Sequence, residues 1–312
     1  MLNYIFKIYI SNNKRLFQRK IRKAINYKSV IRLIRIIIIC ITILNVILYA
    51  FKITNKNLKI YFVDVGQGDC CLIVTPNNKR VLVDGGEGKT DILLSYLLDR
   101  RIKTIDYIII SHFDSDHCNG LIKVIENLKI ENIIISEQAI FSEEYKNIAK
   151  IINKKQINII NVKQGDKIEI EKNVQIDILY PINPLEYNDL NNNSIVAKLK
   201  YNSFSILFTG DIESSEQNII NKYNNTNELK SNILKISHHG SKTSSSKEFL
   251  KKVNPQIALI GVGQNNTFGH PSSDVLKRLE LINCKIYRTD INGEIQIIVN
   301  KKGKSWINKK FD

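Results

Sequence analysis

The densest group of reactive side chains lies in residues 111–117 (SHFDSDH), where four groups that can bind metal fall within six residues. They are His112, Asp114, Asp116 and His117. Imidazole and carboxylate groups are ligands for divalent cations, and alternate side chains of a tight turn can converge on one point. Capping of a following helix is the alternative use of such carboxylates, but a cap needs only one of them. The spacing therefore predicts a metal site.

Two later segments end predicted strands with side chains of the same types. Asp211 follows FTG, where Gly210 lets the chain turn and leaves the carboxylate projecting from the sheet. A carboxylate there could bridge two cations. His238 and His239 follow ILKIS. Because adjacent histidines cannot easily serve one metal, we expect one to be a ligand and the other to donate a hydrogen bond to a substrate oxygen.

Three aspartates lie in glycine-rich turns that should border the same site. Asp64 and Asp69 belong to VDVGQGD, and Asp84 belongs to VLVDGG. Local hydrogen bonds within such turns account for these residues without any catalytic role. We expect them behind the ligands, with Asp84 orienting a ligand histidine. His270, in TFGHPS, lies between a glycine and a proline, in a rigid turn that can hold an imidazole over a pocket.

Short Ile- and Val-rich runs alternate with amphipathic stretches after residue 57, and they supply the elements that position these side chains. We predict helices over 90–100, 117–128, 213–223, 246–253 and 272–282. We predict strands over 58–65, 70–75, 79–83, 107–111, 132–136, 176–180, 194–201, 204–209, 233–236, 257–260 and 294–299. The SHFDSDH segment then lies in a turn between a strand and a helix. Two strand-rich halves with external helices favour a layered α/β sandwich over a barrel, because the strands are too irregularly spaced for eight equal βα units.

An apolar stretch of sixteen uncharged residues, 36–51 (IIIICITILNVILYAF), lies between Arg35 and Lys52. Residues 30–53 are long enough for a membrane helix if the flanking cations extend to the interface. A buried core helix would show more polar positions on one face. A cleavable signal peptide would need small residues at its cleavage site, and LYA is a poor match. We therefore expect an uncleaved transmembrane anchor that contacts membrane lipid.

The net charge of +16 is concentrated before this stretch. Residues 1–35 hold ten Lys or Arg and no acidic residue, whereas the remainder holds 36 basic and 30 acidic residues, a net of +6. Basic flanks mark the cytoplasmic side of a membrane helix and contact lipid head groups. We therefore expect a basic cytoplasmic leader (1–29), an anchor (30–53) and an extracytoplasmic hydrolase domain (57–312).

The five cysteines show no paired spacing and predict no disulfide framework. Cys70 and Cys71 are adjacent on a predicted strand, where successive side chains point to opposite faces. They cannot easily bind one metal together, so we interpret them as small core residues. With 43% hydrophobic and 24% charged residues, the chain has the composition of a globular protein.

Taken together, the motifs resemble those of the metallo-β-lactamase superfamily, whose HxHxDH signature is present as HFDSDH, with Asp114 at the second histidine position. More narrowly, the ordered series VDVGQGD, VLVDGG, SHFDSDH, NNNS, FTGD, SHHGSKTSSS and FGHPS is similar to the extracytoplasmic domain of ComEC-type DNA-uptake proteins, from about Lys59 onward. The resemblance implies a four-layer αββα sandwich preceded by one transmembrane helix. Two departures stand out: Asn119 replaces a usual glycine, and the family's middle histidine ligand has no counterpart, with residues 191–193 near its place.

The resemblance also implies a hydrolase with two divalent metal ions, Mn²⁺ or Zn²⁺ with Mg²⁺ as an alternative, because a carboxylate at Asp114 hardens the site. One ion would be held by His112, Asp114 and Asp211, and the other would share Asp211. The implied roles are metal ligands at His112, Asp114, Asp116, His117, Asp211 and His238, catalytic groups at Asp116, His239 and His270, and supporting groups at Asp64, Asp69 and Asp84.

The implied activity is that of a phosphodiesterase or nuclease acting on DNA outside the membrane, in a competence-like role. One apolar span cannot form a channel, so we expect a separate channel protein as partner; no oligomeric state is predicted. A cell-surface phosphoesterase acting on choline phosphate or teichoic acid polymers is one alternative. A non-catalytic DNA-binding module is another, and it is disfavoured because so many ligands would then be idle.

Overall fold

The computed structural model describes residues 2–54, 56–89, 91–137, 141–182, 185 and 189–309. These residues form two compact units, which meet in sequence at residue 55. Thr90, the first residue of one predicted helix, lies outside the described residues. So do residues 310–312, the end of the predicted hydrolase domain.

The first unit is one helix, α1 (Leu2–Thr54), of 53 residues. Its sequence contains neither glycine nor proline, so the backbone hydrogen bonding can continue without interruption. The segment Asn13–Ile47 is long and apolar enough to cross a membrane, judged by length and composition. The predicted apolar helix is therefore present, and it is continuous with the basic segment that precedes it.

The second unit contains the predicted strands and helices, with several additions. Its α-helices are α2 (Ile92–Asp99), α3 (Ser115–Asn127), α4 (Glu143–Lys155), α5 (Glu216–Lys222), α6 (Lys247–Val253), α7 (Ser273–Leu281) and α8 (Thr289–Asn292). Its strands are β1 (Leu58–Phe62), β2 (Cys71–Val74), β3 (Arg80–Val83), β4 (Thr104–Ile109), β5 (Lys129–Ser136), β6 (Asn158–Val162), β7 (Lys167–Glu171), β8 (Val174–Tyr180), β9 (Val196–Tyr201), β10 (Phe204–Phe208), β11 (Ile233–Lys235), β12 (Ile257–Ile260), β13 (Lys285–Arg288), β14 (Ile295–Val299) and β15 (Ser305–Lys309).

The strands form two sheets. The order in the first sheet is β15-β14-β1-β2-β3-β4-β5-β6, and in the second it is β13-β12-β11-β10-β9-β8-β7. Strands β3 to β6 run parallel, as do β10 to β13, and the other neighbours are antiparallel. The predicted division of the strands into two halves is wrong for one strand. Strand β14 was expected with the second half, but it pairs antiparallel with β1 and so extends the first sheet.

Three apolar cores separate four layers. One core lies between the sheets, a second packs α2, α3 and α4 onto the first sheet, and a third packs α5, α6 and α7 onto the second. Alternation along each strand explains this arrangement: Cys71 and Ile73 of β2 face the core between the sheets, whereas Leu72 faces the helices. Cys70 and Cys71 therefore lie in different cores, as predicted. The four-layer αββα sandwich is confirmed.

Candidate metal centre

The candidate site lies where loops from both sheets meet. Strands β3 and β4 of the first sheet, and β10 and β11 of the second, all end beside it. Side chains that follow the carboxyl ends of parallel strands gather at one edge of a sheet. The segments that supply the site are residues 64–69, 84–86, 111–117, 211–213, 237–241 and 261–270.

The SHFDSDH segment connects β4 to α3, as predicted. Helix α3 begins at Ser115, so Asp116 and His117 belong to its first turn rather than to the preceding loop. The free backbone N–H groups of a helix N-terminus favour negative charge, which suits a carboxylate at Asp116. Local strand-to-helix geometry thus brings these two side chains together.

Four buried side chains converge on one point: Asp69, His117, Asp211 and His239, with one ligand atom from each within 4.8 Å of the others. Asp116 borders this group, since its Oδ2 lies 3.1 Å from His239 Nε2. We call the four buried residues the buried cluster, and Asp116, whose side chain is 25% exposed, lies beside it. The four come from separate segments of the sequence, so only the folded chain assembles them.

The ring of His239 is fixed by the backbone. Its Nδ1–H donates to the carbonyl oxygen of Gly261 over 2.7 Å, which directs Nε2 toward Asp116 and Asp211, at 3.1 and 3.4 Å. A neutral imidazole would present a lone pair to two carboxylates there, so a positive charge is needed between them. Burial lowers the pKa of His239, but the charges of Asp211 and Asp69 raise it by a larger amount, so that the pKa is about 10. The cluster thus attracts either a proton or a metal ion at this nitrogen.

His117 is held in the same way by a side chain. Its Nδ1 lies 3.0 Å from Asp84 Oδ2, and Asp84 also accepts hydrogen bonds of 2.8 Å from the backbone N–H and the hydroxyl of Ser111. His117 Nε2 then faces Asp211 Oδ1 at 3.2 Å. Burial opposes charge on this ring, yet Asp211 raises the pKa of His117 well above its usual range. The orienting contact expected of Asp84 is present in the structure.

Two further predicted ligands, His112 and Asp114, lie beside the buried cluster and form a second candidate position for a metal ion. The two rings of His112 and His117 have centroids 4.2 Å apart. His112 Nδ1 lies 3.0 Å from Ser111 Oγ, and its buried Nε2 lies 3.6 Å from Asp114 Oδ2. The side chain of Asp114 is 41% exposed, so water solvates it in part. This position offers fewer buried donors than the cluster beside it.

The vicinal histidines occupy different places. Whereas His239 is buried, the side chain of His238 is 27% exposed, with Nδ1 3.0 Å from Glu213 Oε1 and Nε2 4.0 Å from Asp211 Oδ2. The geometry thus places His239, and not His238, among the candidate ligands. Both residues have positive φ, 48° and 50°, a region that side chains other than glycine rarely adopt. Such strain is commonly retained where a site requires it.

His270 lies at the rim, where its ring is 5.7 Å from that of His238 and stacks on Phe268 at 6.0 Å. Asn266 fixes the turn, since its Oδ1 accepts from the N–H of His270 and its side-chain amide donates to the carbonyl. Burial and the neighbouring histidines lower the pKa of His270. Phe268 is 66% exposed, which is unusual for a phenylalanine.

Asp64 and the segment Asn191–Asn193 are not among the candidate metal ligands. Asp64 is exposed, and its Oδ1 accepts from the N–H of Gly66 in its own turn; no contact with the cluster is found among the described residues. The segment Asn191–Asn193 forms a short 3₁₀ helix, in which Asn192 Oδ1 accepts from the backbone N–H groups of Glu213 and Ser215. Asn192 therefore supports the loop after Asp211.

Sequence reasoning missed Lys235, the last residue of β11. Its side chain is buried, and Nζ contacts Asp69 Oδ2, Asp211 Oδ1 at 3.2 Å and the carbonyl oxygen of Gly210 at 2.8 Å. Burial lowers its pKa, but Asp69 and Asp211 raise the pKa above its usual value. The available signal was a single charge inside the otherwise apolar strand sequence ILKI.

The donor set fits a divalent cation. Nε2 atoms of His112, His117 and His239 are buried and make no hydrogen bond among the described residues. Each lies 3.1 to 3.6 Å from a carboxylate oxygen. Two ligands of one tetrahedral cation with bonds near 2.1 Å are about 3.4 Å apart. The spacing of the nitrogen and oxygen atoms therefore matches that of ligands sharing an ion.

Comparison with known proteins agrees with this geometry. Residues 63–263 match the family model of the Metallo-beta-lactamase superfamily. ComE operon protein 3 of Bacillus subtilis (strain 168) is 29% identical over 277 residues, covering 83% of this chain and 35% of the relative. Competence protein ComA of Neisseria gonorrhoeae is 31% identical over 245 residues, covering 77% of this chain and 32% of the relative. Recombination protein 2 of Haemophilus influenzae is 27% identical over 268 residues, covering 84% and 31%.

The chain spans about a third of the length of these relatives. Among solved structures, a mutant of the CmlA beta-hydroxylase superposes with a TM-score of 0.50 at 9% identity, covering 78% of this chain and 54% of that one, which shows the fold alone. The predicted resemblance, including that to competence-related proteins, is confirmed by these matches. On the family match, the sandwich and the buried cluster of imidazoles and carboxylates, the chain belongs to the metallo-β-lactamase superfamily of metal-dependent hydrolases.

Proposed function

We propose that this chain is a membrane-anchored, metal-dependent phosphodiesterase that hydrolyses DNA outside the membrane, in a competence-like role. The observation that carries the proposal is the convergence of Asp69, His117, Asp211 and His239, all buried, with ring nitrogens that face carboxylate oxygens. A buried group of this kind is costly unless a cation compensates it. The cost is explained if the cluster holds a metal.

Two metal positions share Asp211 in this proposal. The buried cluster would hold one divalent ion, and His112 and Asp114 would hold the other. The abundance of carboxylate oxygen favours Mn²⁺ or Mg²⁺, although imidazole also suits Zn²⁺. Bound there, the cation would supply Lewis acidity, which makes water nucleophilic near neutral pH and offsets charge on a phosphoryl group. Asp84 and Gly261 would keep the ligand rings in the tautomer that leaves Nε2 free.

We assign substrate contact to the two partly exposed histidines, His238 and His270. Glu213 orients His238 through Nδ1, which leaves Nε2 at the open side of the cluster. His270 lies beside it at the rim. We therefore assign His239 as ligand and His238 with His270 as the groups that donate hydrogen bonds to phosphate oxygens. This assignment exchanges the roles that the sequence suggested for His238 and His239.

Phe268 favours a substrate that carries aromatic bases. It is 66% exposed and stacks on His270, next to the histidine that borders the metal cluster. An exposed aromatic face binds nucleobases of single strands by stacking, with little regard to sequence. Teichoic acid backbones have no such group, so the stacked pair supports DNA over these polymers. Choline phosphate could contact Phe268 through its quaternary ammonium, so the substrate test must separate it from DNA.

The anchor proposal rests on α1 and on charge. Basic residues cluster before the apolar segment, which favours a cytoplasmic leader (1–29), an anchor in lipid (30–53) and an extracytoplasmic hydrolase domain (57–312). The similarity to a competence protein supports a role near imported DNA. A separate channel protein would conduct the strand.

The test is hydrolysis by the detergent-solubilised chain. With Mn²⁺, we expect degradation of end-labelled single-stranded DNA that EDTA stops and that Asp116→Ala abolishes without loss of the circular dichroism signal. Glu131→Ala, on an exposed residue paired with Lys129, is the matched control and should retain activity. Hydrolysis of choline phosphate or teichoic acid substrates but not of DNA would contradict the DNA assignment. DNA binding without any turnover would contradict the enzyme assignment.

A further inference from the structure

Lys235 places a positive charge inside the candidate metal centre. Its residue is 2% exposed, and its ammonium contacts Asp69 and Asp211, two members of the buried cluster. The cavity beside it has a volume of about 10 Å³, room for roughly one water molecule. Bulk solvent therefore does not stabilise this ammonium, and the two carboxylates must.

A charge balance indicates what this ammonium does. Asp69, Asp84 and Asp211 are 4%, 2% and 3% exposed, so their three negative charges are removed from water, whereas the side chain of Asp116 is 25% exposed and water solvates it in part. Lys235 offsets one of them, and a single divalent ion with neutral imidazoles offsets the other two. Buried charges are tolerated only when they are compensated in this way.

At the second metal position, no buried and uncompensated carboxylate among the described residues requires a cation. Asp114, the carboxylate that pairs with His112 there, is 41% exposed and solvated. Lys235 already contacts Oδ1 of Asp211, the oxygen nearest to His117. A second ion would have to bind a carboxylate whose charge is partly neutralised.

Building on the proposed function, we propose that Lys235 is a resident cation of the centre, which neutralises Asp69 and Asp211 in place of a second metal. The centre then retains one divalent ion tightly, and the position at His112 and Asp114 fills only at high metal concentration. Lysine suits this role because its ammonium is a compact charge on a long stem.

The test uses the full chain in detergent, loaded with Mn²⁺ and desalted. We expect one retained Mn²⁺ per chain in the unchanged protein and close to two in Lys235→Met. In EDTA, the melting temperature of Lys235→Met should fall by about 10 °C, since removing one partner of a buried ion pair leaves the carboxylates unpaired. Mn²⁺ should recover most of that loss.

The matched control is Lys198→Met. Lys198 is also buried, but its ammonium donates to the backbone carbonyls of Glu228 and Lys230, away from the cluster. This variant should lose stability equally with and without Mn²⁺ and retain one ion. The double variant Lys235→Met with Asp69→Asn removes one charge of each sign, so in EDTA it should fold and melt at a higher temperature than Lys235→Met, even if Lys235→Met alone does not fold. Because Asp69 belongs to the buried cluster, this variant is compared by its melting temperature and not by its metal content.

The outcomes separate two failures. If the unchanged chain retains no Mn²⁺, the metal centre itself is wrong, and the inference is overturned with it. If the unchanged chain and Lys235→Met retain the same number of ions and gain equally in melting temperature from Mn²⁺, the centre stands and the role of Lys235 is overturned. A double variant as unstable as Lys235→Met would overturn that role as well.

Discussion

His239 donates its Nδ1–H to the carbonyl oxygen of Gly261 over 2.7 Å. This contact turns Nε2 toward the buried carboxylates, while the adjacent His238 turns its Nδ1 toward Glu213. Two neighbouring residues of the same type therefore face different partners. In the proposed assignment, His239 is the metal ligand and His238 contacts the substrate, and the two differ in the partner of Nδ1.

Replacing each histidine by alanine should separate these roles. His239→Ala removes a ligand, so we expect the affinity for Mn²⁺ to fall at least about 100-fold. His238→Ala should retain Mn²⁺ and lose about 100-fold in kcat, the usual range for a group that donates a proton or hydrogen bond to substrate. Isothermal titration with Mn²⁺ and phosphodiesterase kinetics measure both. Equal loss of Mn²⁺ in the two variants would show that the assignment is wrong.

Asp84→Asn should weaken the centre without touching a ligand atom. The carboxylate accepts from His117 Nδ1 and from Ser111, and an amide could donate instead and favour the wrong tautomer. We expect Mn²⁺ affinity to fall about 10- to 100-fold, as for other groups that orient metal-binding histidines. Asp177→Asn, on a buried carboxylate that pairs with Lys200 on the second sheet, is the control. An unchanged Mn²⁺ affinity in Asp84→Asn would show that Asp84 does not orient His117 for metal binding.

Local sequence patterns were sufficient to predict where the SHFDSDH turn lies, because a strand, a polar turn and a helix follow one another within a few residues. They were insufficient to predict Lys235, or to predict that Asp69 lies among the candidate ligands rather than behind them, because these two residues are distant in sequence and meet only when the two sheets pack. Long-range pairing also decided that β14 joins β1. Strands β6, β7, β13 and β15 were missed because strands at sheet edges carry exposed polar residues that weaken the apolar alternation.

Glu216 should make stability depend on pH. It is buried, and burial raises its pKa from 4.5 to about 7 even though it accepts hydrogen bonds from the backbone N–H groups of Ser245 and Ser246. Between these two values the folded chain binds more protons than the unfolded one, so stability falls as pH rises, by about 3 kcal/mol in total. Urea unfolding in EDTA at pH 5 and pH 8 measures this loss.

The control for that prediction is Glu216→Gln. The amide cannot ionise, so the difference in unfolding free energy between pH 5 and pH 8 should shrink by about 3 kcal/mol relative to the unchanged chain. The variant should also be less stable at pH 5, because its amide opposes two backbone donors. The same pH dependence in both proteins would rule out Glu216 as its source.

Phe268→Ala should weaken the binding of single-stranded DNA selectively. Loss of one stacking contact costs about 1 to 3 kcal/mol, so KM for single-stranded DNA should rise roughly 5- to 100-fold with kcat little changed. The rate on glycerophosphoglycerol, a small phosphodiester with no aromatic group to stack on Phe268, should be retained within about twofold. Leu281→Ala, on a residue that is 74% exposed, is the control. An equal effect on both substrates would contradict a base-stacking role.

The metal content of the purified chain shows whether the buried cluster holds a divalent cation. After loading with Mn²⁺ and desalting, elemental analysis should find at least one ion per unchanged chain. Asp211→Ala, which removes the carboxylate shared by both positions, should retain less than about a tenth of an ion per chain while remaining folded. An unchanged chain without metal, or an Asp211→Ala variant that retains as much metal, would contradict the account.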